Sequence, residues 1–310
     1  MEDARVLVTG GAGFIGSVLA NRLAPRNDVL AVDDLSVGTT DNLADDVEFM
    51  EASVLDSDLT GAVRDRLGGV DALFVFAALS SRDMHDAEPE RGARVNVEGF
   101  VNTVETAIDL GCETVVYASS SSVYGTRERP SPESLSVRPQ TRYEASKLAR
   151  ERYASAYADD DCSVAGLRYF SVYQGFGGNE AHKGGYANTV SQFADAIARG
   201  ESPVVFGDGS QTRDFVHVED AVRATEQVAD ERLSGIYNVG TGEAYSFDEM
   251  IERLNEVLGT AVDPEYVDVP YDEYVYHTRA DPSKLEAATG WQPRIDFETG
   301  IERVCAPYLE

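Results

Sequence analysis

Residues 5–9, Arg-Val-Leu-Val-Thr, form a short apolar run closed by a cluster of glycines. The next apolar residues, over 14–23, fall at helical spacing and stop before Pro25. The pair predicts a buried strand, a tight turn and a helix. Similar apolar runs at 28–32, 47–50, 72–76, 114–118 and 163–168 predict five more strands, and helical patterns at 59–67 and 95–110 lie among them. Strands alternating with helices predict an α/β protein built on a doubly wound parallel sheet. In such sheets ligands collect beyond the carboxyl ends of the strands.

After residue 168 the texture changes. A glycine-rich loop over 174–185 precedes a helix expected at 186–199, short strands at 204–206 and 236–238, and helices at 247–258 and 283–289. The expected division is a first domain over 1–168 and a smaller, mixed region over 169–310, which can return strands or helices to the first. The two are expected to enclose one cleft. There is no internal repeat and no flexible linker.

Composition narrows the function. The 310 residues carry a formal net charge of −29, with 55 acidic residues against 26 basic ones, which repels nucleic acid and anionic membrane surfaces. Neither is expected as a partner. With 43% hydrophobic residues in periodic segments the charge reads as a solvated surface rather than as disorder. Arginine far outnumbers lysine, and acidic clusters such as Asp45-Asp46 and Asp159-Asp160-Asp161 fall in expected loops. No apolar run approaches a membrane span, and residues 1–5 enter the first strand without the pattern of a secretory leader. Cys112, Cys162 and Cys305 are few and odd in number, which suits a reducing compartment. A cytoplasmic location is expected, and His85, His217 and His277 have no metal-ligand spacing, so no metal site is expected.

Gly10, Gly13 and Gly16 stand between the first strand and the first helix, where a dinucleotide fingerprint belongs. Such a turn lets backbone approach a pyrophosphate, and the helix N-terminus offers N–H groups and a positive dipole end. The second strand ends in Asp33-Asp34, where a carboxylate can accept from ribose hydroxyls. No arginine or lysine lies between Asp33 and Arg64, which favours NAD over NADP. Further on, Tyr143 and Lys147 are spaced to share one helix face, downstream of a serine run over 119–122. The chain has only three lysines, Lys147, Lys183 and Lys284. An ammonium there can help to hold as phenolate a tyrosine whose ordinary pKa is about 10.

These motifs, with Asn96-Val-Glu-Gly99, Ser-Ser-Val-Tyr-Gly125, Leu-Arg-Tyr-Phe170, Gly207-Asp-Gly-Ser-Gln-Thr-Arg-Asp-Phe-Val216 and Tyr237-Asn-Val-Gly-Thr-Gly242, occur in order along the chain. The sequence resembles the extended short-chain dehydrogenase/reductase family, and within it the nucleotide-sugar epimerases that act at C4 of UDP-glucose and UDP-galactose. The resemblance implies a Rossmann domain, bound NAD, a nucleotide-sugar substrate and a homodimer packed through the helices at 95–110 and 143–157. It implies that Tyr143 is catalytic base and acid, that Lys147 holds the nicotinamide ribose and lowers the tyrosine pKa, and that Ser120 bonds the reacting hydroxyl. Cofactor contacts carried over are Gly10, Gly13, Phe14, Ile15, Gly16, Asp33, Asp34, Ser53, Val54, Phe76, Ala77, Ala78, Asn96 and Tyr169, besides Tyr143 and Lys147. Arg213 and Arg279 are candidates for the diphosphate, since guanidinium forks match phosphate oxygens; either could instead pair with a surface carboxylate.

The chain departs from that pattern at Ser171, where the family has a substrate-contacting asparagine, and at Ser53, where an aspartate often meets the adenine and Asp56 could substitute. His182-Lys183-Gly184 and Tyr274-x-x-x-Thr278-Arg-Ala-Asp281 resemble the ADP-heptose 6-epimerases, where such a lysine is a second acid/base. Lys183 could equally contact a diphosphate. Sugar-nucleotide dehydratases carry Thr-Asp-Glu where this chain has Ser120-Ser121-Ser122, which counts against elimination and more so against decarboxylation. A dinucleotide-binding regulator remains a further alternative. The acidic excess suggests a cytoplasm rich in salt, which would screen the self-repulsion. The thermal unfolding temperature is then expected to rise steeply from dilute buffer to molar KCl; an unfolding temperature flat across that series rules the idea out.

Overall fold

The computed structural model describes residues 1–159, 161–270 and 272–309, so Asp160 of the acidic cluster lies outside them. Strand β1 (Arg5–Thr9) pairs in parallel with β2 (Asp28–Asp33), Leu7 against Leu30, and β2 with β3 (Glu48–Glu51). On its other side β1 pairs in parallel with β4 (Ala72–Val75), and β4 with β5 (Thr114–Ser120). With β6 (Ser163–Tyr169) and β11 (Gly235–Val239) these make a seven-stranded sheet in the order β3-β2-β1-β4-β5-β6-β11. The sheet bears out the doubly wound architecture. The helices between strands are α1 (Phe14–Leu23), α2 (Leu59–Leu67), α3 (Arg82–Ala87), α4 (Pro89–Ala93), α5 (Gly99–Asp109) and α6 (Arg142–Ala154).

The chain divides into two compact units. The first comprises Met1–Val123, Arg138–Arg168 and Val222–Tyr237, and the second Tyr124–Val137, Tyr169–Ala221 and Asn238–Glu310. The first unit's core is made by Leu7, Leu30, Leu73, Val115 and Val164 of the sheet with Leu59, Val63, Phe100 and Val104 of the helices above it. The expected helix over 95–110 is divided. Arg94–Glu98 is a π-helical turn, and α5 follows it. That wider turn carries Asn96, which is fully buried.

The second unit contains α7 (Thr189–Ala198), α9 (Phe247–Leu258), α10 (Ser283–Thr289) and α11 (Phe297–Cys305), with short strand pairs β7 (Ser171–Tyr173) with β10 (Phe215–His217), β9 (Thr212–Arg213) with β12 (Tyr245–Ser246), and β8 (Val204–Phe206) with β13 (Glu265–Val267). Phe193, Phe215, Phe247, Met250 and Phe297 fill its core. The helix expected over 186–199 begins later. Residues 181–186 form a 3-10 segment, and α7 starts after Asn188, whose extended backbone and side-chain oxygen cap the N–H of Val190 at 3.1 Å. Helices α11 and α8 (Val218–Asp230) lie outside the elements expected from the sequence, although Val218, Ala221, Val222 and Val228 fall at helical spacing.

Helix α6 is fixed at both ends. A capping box starts it: the Thr141 hydroxyl accepts from the Glu144 N–H at 3.2 Å, and the Glu144 carboxylate accepts from the N–H groups of Gln140 and Thr141. Tyr143 is thereby the second residue of the helix. Further along, Glu151 accepts from the Ser119 hydroxyl at 2.6 Å and takes a two-pronged bond from Arg168 at 2.8 and 2.7 Å, an ion pair 4% and 8% exposed. It ties α6 to β5 and β6. Glu151→Ala leaves the Arg168 guanidinium buried without its counter-charge and is expected to cost about 3–5 kcal/mol, read from urea unfolding at fixed salt. A change below about 1 kcal/mol would show that Arg168 finds water instead.

Candidate active site

The first unit gathers its candidate residues at the carboxyl ends of β1, β2, β4 and β5. Gly10 turns the chain at φ +70°, and a Cβ there would lie 2.4 Å from the Ala77 nitrogen; one on Gly16 would lie 2.2 Å from the Gly10 carbonyl oxygen. Backbone thus packs on backbone where a side chain cannot fit. Gly13 is the N-cap of α1, with no side-chain cap and no acidic residue in the first turn, where Phe14 and Gly16 are buried and Ile15 half-buried. The dipole end is left bare for an anion.

Asp33, at the end of β2, accepts from the N–H of Ala12 at 3.2 Å and of Leu35 at 2.9 Å. Burial raises its pKa, against the lowering by those bonds. Asp34 is exposed and accepts from the Ser36 N–H. The expectation of no cation near this strand end is corrected here: the fold brings Arg91 of α4 to 3.8 Å from Asp34, where it also meets Glu88 at 3.3 Å. Sequence distance concealed it. Two carboxylates already share that guanidinium. Ser53 accepts from the Leu55 N–H, its own N–H is taken by Asp56, and Val54 is buried against Leu79, Met84 and Val95. Phe76 and Ala77 donate their N–H groups to the Thr9 carbonyl, and with Ala78 they remain half-buried in the turn after β4.

Ser120 closes β5 beside the Tyr143 phenol, and its hydroxyl stands 2.9 Å from the Ser122 hydroxyl. Ser119 is engaged instead with Glu151. Lys147 is buried, donates to the Ala118 carbonyl at 3.0 Å, and holds its Nζ 5.6 Å from the centre of the Tyr143 ring. The structure therefore brings Ser120, Tyr143 and Lys147 together. It does not lower the phenol's pKa, as the sequence led us to expect. Burial raises it, outweighing the Ser120 hydroxyl and the charge of Arg150, while Glu144 adds to the rise; burial also pushes Lys147 well below its ordinary value. Desolvation of a charge in a dry site exceeds the help of a neighbour that is itself desolvated.

Two residues that the sequence did not mark for this site, His85 and Arg150, share it with Asn96. His85 lies edge-on to Tyr143, ring centres 5.6 Å apart, with its Nε2 2.9 Å from Asn96 Nδ2. The Asn96 amide bonds both the N–H and the carbonyl of Leu79 and donates to Ser146 on α6 at 3.0 Å. Arg150 donates to the carbonyls of Asn96 and Ala77. Helical spacing from Tyr143 was signal enough for Arg150; nothing local marks His85.

Tyr169, Ser171, Lys183, Arg213 and Arg279 belong to the second unit. Tyr169 ends β6 and is buried, and the Ser171 N–H donates to the Asp214 carbonyl at 2.9 Å. Lys183 is half-buried, its pKa lowered by burial against the pull of Glu180. Arg213 donates to the carbonyls of Thr212 and Tyr276 and lies 5.4 Å from the Phe247 ring centre and 5.7 Å from that of Tyr274. Arg279 donates to the Gly242 carbonyl at 2.6 Å. Among the described residues neither is paired with a carboxylate, in a chain where acids outnumber bases twofold. Between them stands Asp214, fully buried, which accepts from the N–H groups of Thr241, Gly242 and Ala280 and from the Thr241 hydroxyl. One carboxylate thus sets the segments that carry both guanidiniums. Among the described residues no group of His, Cys, Asp and Glu is placed to hold a metal, and no helix is long and apolar enough to cross a membrane.

Sheet order, glycine turn and the Ser120, Tyr143 and Lys147 cluster define a Rossmann protein of the short-chain dehydrogenase/reductase class. Residues 6–240 match the NAD dependent epimerase/dehydratase family, and the chain belongs to it. It is 36% identical over 312 residues to a UDP-glucose 4-epimerase of Mycolicibacterium smegmatis, covering 96% of each chain. It is 37% identical over 317 residues to an ADP-L-glycero-D-manno-heptose-6-epimerase of Alkalilimnicola ehrlichii, covering 96% of this chain and 95% of the other. A solved UDP-N-acetylglucosamine 4-epimerase from Methanobrevibacter ruminantium, in complex with UDP-N-acetylmuramic acid, superposes with a TM-score of 0.91 at 30% identity over 100% and 99% of the two chains.

The residues present fit a dinucleotide: a helix N-terminus with no side-chain cap, a turn too tight for a Cβ at Gly10 or Gly16, and the Asp33 carboxylate at the next strand end. Gly10→Ala should lose most of the NAD that copurifies with the parent, besides about 1–2 kcal/mol for a left-handed alanine. Nucleotide released on denaturation measures it, and undiminished NAD in this variant would count against the turn as the cofactor's seat.

Proposed function

We propose that this protein is an NAD-dependent nucleotide-sugar 4-epimerase that interconverts UDP-glucose and UDP-galactose. The observation that carries the reading is the placement of Ser120, Tyr143 and Lys147 side by side, with Lys147 fixed by the Ala118 carbonyl and its Nζ 5.6 Å from the Tyr143 ring centre. Bound NAD supplies a hydride acceptor that returns what it takes, so there is no net redox. Ser120 orients the reacting sugar hydroxyl toward Tyr143, which removes its proton and later gives it back as general base and acid. Lys147, held by the Ala118 carbonyl, steadies the phenol and offers donors to the ribose. Arg213 and Arg279, without carboxylate partners among the described residues, take the diphosphate and leave the sugar free to present either face. The serine run has no carboxylate at the positions where a dehydratase keeps its acid pair, which supports epimerisation over elimination.

A second reading rests on Lys183, half-buried and with its pKa lowered, which suits a proton-transferring amine facing a side-chain carbon of a longer sugar, as in a heptose 6-epimerase. Proton NMR of UDP-glucose in concentrated KCl, without added NAD, tests both. UDP-galactose should accumulate to equilibrium, and Tyr143→Phe should lower the rate by about 10²–10⁴-fold with NAD retained. Lys183→Ala should keep the 4-epimerase rate and lose only affinity. No turnover of UDP-glucose by the parent would turn the assignment toward the heptose reading, and full activity of Tyr143→Phe would end both.

A further inference from the structure

Arg150 is not used by this mechanism. It lies on α6 seven residues beyond Tyr143 and three beyond Lys147, a spacing that returns to the same helix face. Its side chain is 0% exposed. Nε donates to the Asn96 carbonyl at 2.5 Å, Nη2 to the Ala77 carbonyl at 2.6 Å, and the guanidinium lies 5.6 Å from the Phe100 ring centre. Among the described residues Nη1 is buried with no hydrogen-bond partner. None of these contacts carries negative charge, and the neighbouring carboxylate, Glu151, is engaged by Arg168 and Ser119.

A buried cation without a counter-anion is costly, and a fold that keeps one has a use for the charge or must offset it elsewhere. An anion does arise on this helix face whenever Tyr143 gives up its proton. We infer that Arg150 is a positioning residue for Tyr143: its buried, unpaired guanidinium is the standing charge that stabilises the phenolate, while its two carbonyl bonds hold α6 to Ala77 and Asn96. The inference rests on the proposed role of Tyr143. Other groups face the phenol from each element packed on it: Ser120 from β5, His85 from α3, and Glu144 and Lys147 from α6. His85 is kept toward neutrality by burial, with Lys147 and Arg150 adding to the effect and Asp86 opposing it, and Glu144 disfavours the phenolate. Burial lowers Arg150, but a guanidinium starts so high that it keeps its charge, whereas Lys147 is pushed well below its ordinary value.

The test reads the phenol itself. Tyrosinate ultraviolet absorbance of the NAD-loaded protein, minus that of Tyr143→Phe, isolates the Tyr143 titration. The same difference is taken in Arg150→Gln, which keeps a donor and drops the charge, and in Arg150→Lys, which keeps the charge and drops the fork. The midpoint should rise by about 1–3 pH units in Arg150→Gln and stay near the parent's in Arg150→Lys. The rising limb of the pH profile for UDP-glucose turnover should move with it. Equal midpoints in the parent and Arg150→Gln overturn the inference. Should Arg150→Gln not fold, Arg150→Lys decides: an upward shift of a full unit would mean that the fork, not the charge, governs Tyr143. Loss of activity in Tyr143→Phe with an unmoved midpoint in Arg150→Gln sinks this inference alone; an active Tyr143→Phe sinks the proposed function and this inference with it.

Discussion

Helix α6 turns a phenol, an ammonium, a guanidinium and a carboxylate into the interior of the first unit, and each must be compensated there. The carboxylate, Glu151, takes the Arg168 guanidinium and the Ser119 hydroxyl. The cations have no carboxylate to spare and use main-chain carbonyls instead: Ala118 for Lys147, Asn96 and Ala77 for Arg150. Those carbonyls lie at the end of β5, in the turn after β4 and in the π-helical turn, so satisfying the helix also fixes the sheet's carboxyl edge. Position and charge at the site are therefore one problem with one solution.

The same edge receives the glycine turn, and there the constraint is steric. Gly10 approaches Ala77 closely, and the Ala77 carbonyl receives Arg150. A loop that fits a dinucleotide and the helix that carries Tyr143 and Lys147 thus meet at one residue of β4's outgoing turn. Displacing α6 would be felt at the cofactor turn, and crowding the turn would be felt at Tyr143. Asn96 reinforces this coupling, since its amide bridges Leu79 in that segment to Ser146 on α6.

Much of this was legible in the sequence because it is periodic or local. The strands of the sheet show as apolar runs, the glycine turn as a spaced cluster, and Tyr143 with Lys147 as a helical interval. Arg150 obeys the same helical period and was equally available; what the sequence could not give was its burial or its want of a counter-ion. Arg91 near Asp34, His85 against Tyr143, and Asp214 gathering Thr241, Gly242 and Ala280 are contacts across long stretches of chain, with no local pattern to announce them. The direction of the phenol's pKa departs from the sequence expectation for a related reason. A neighbouring ammonium is visible in a sequence, and the water lost by both groups on folding is not.

Net charge sets a last condition on the site. The diphosphate-bearing substrate proposed above is an anion, and it would approach a protein of formal charge −29. In dilute buffer, with a screening length of about 30 Å at 0.01 M, the whole surface repels it; at molar salt that length falls to about 3 Å and only the nearest groups act. On the proposed reading Arg213 and Arg279 are then the charges that count, because each is held by carbonyls rather than neutralised by a carboxylate among the described residues. On the proposed reading, an acidic exterior and the two guanidiniums, Arg213 half-buried and Arg279 exposed, work together best in salt. The exterior keeps the chain solvated, and screening lets the arginines be read as positive at short range.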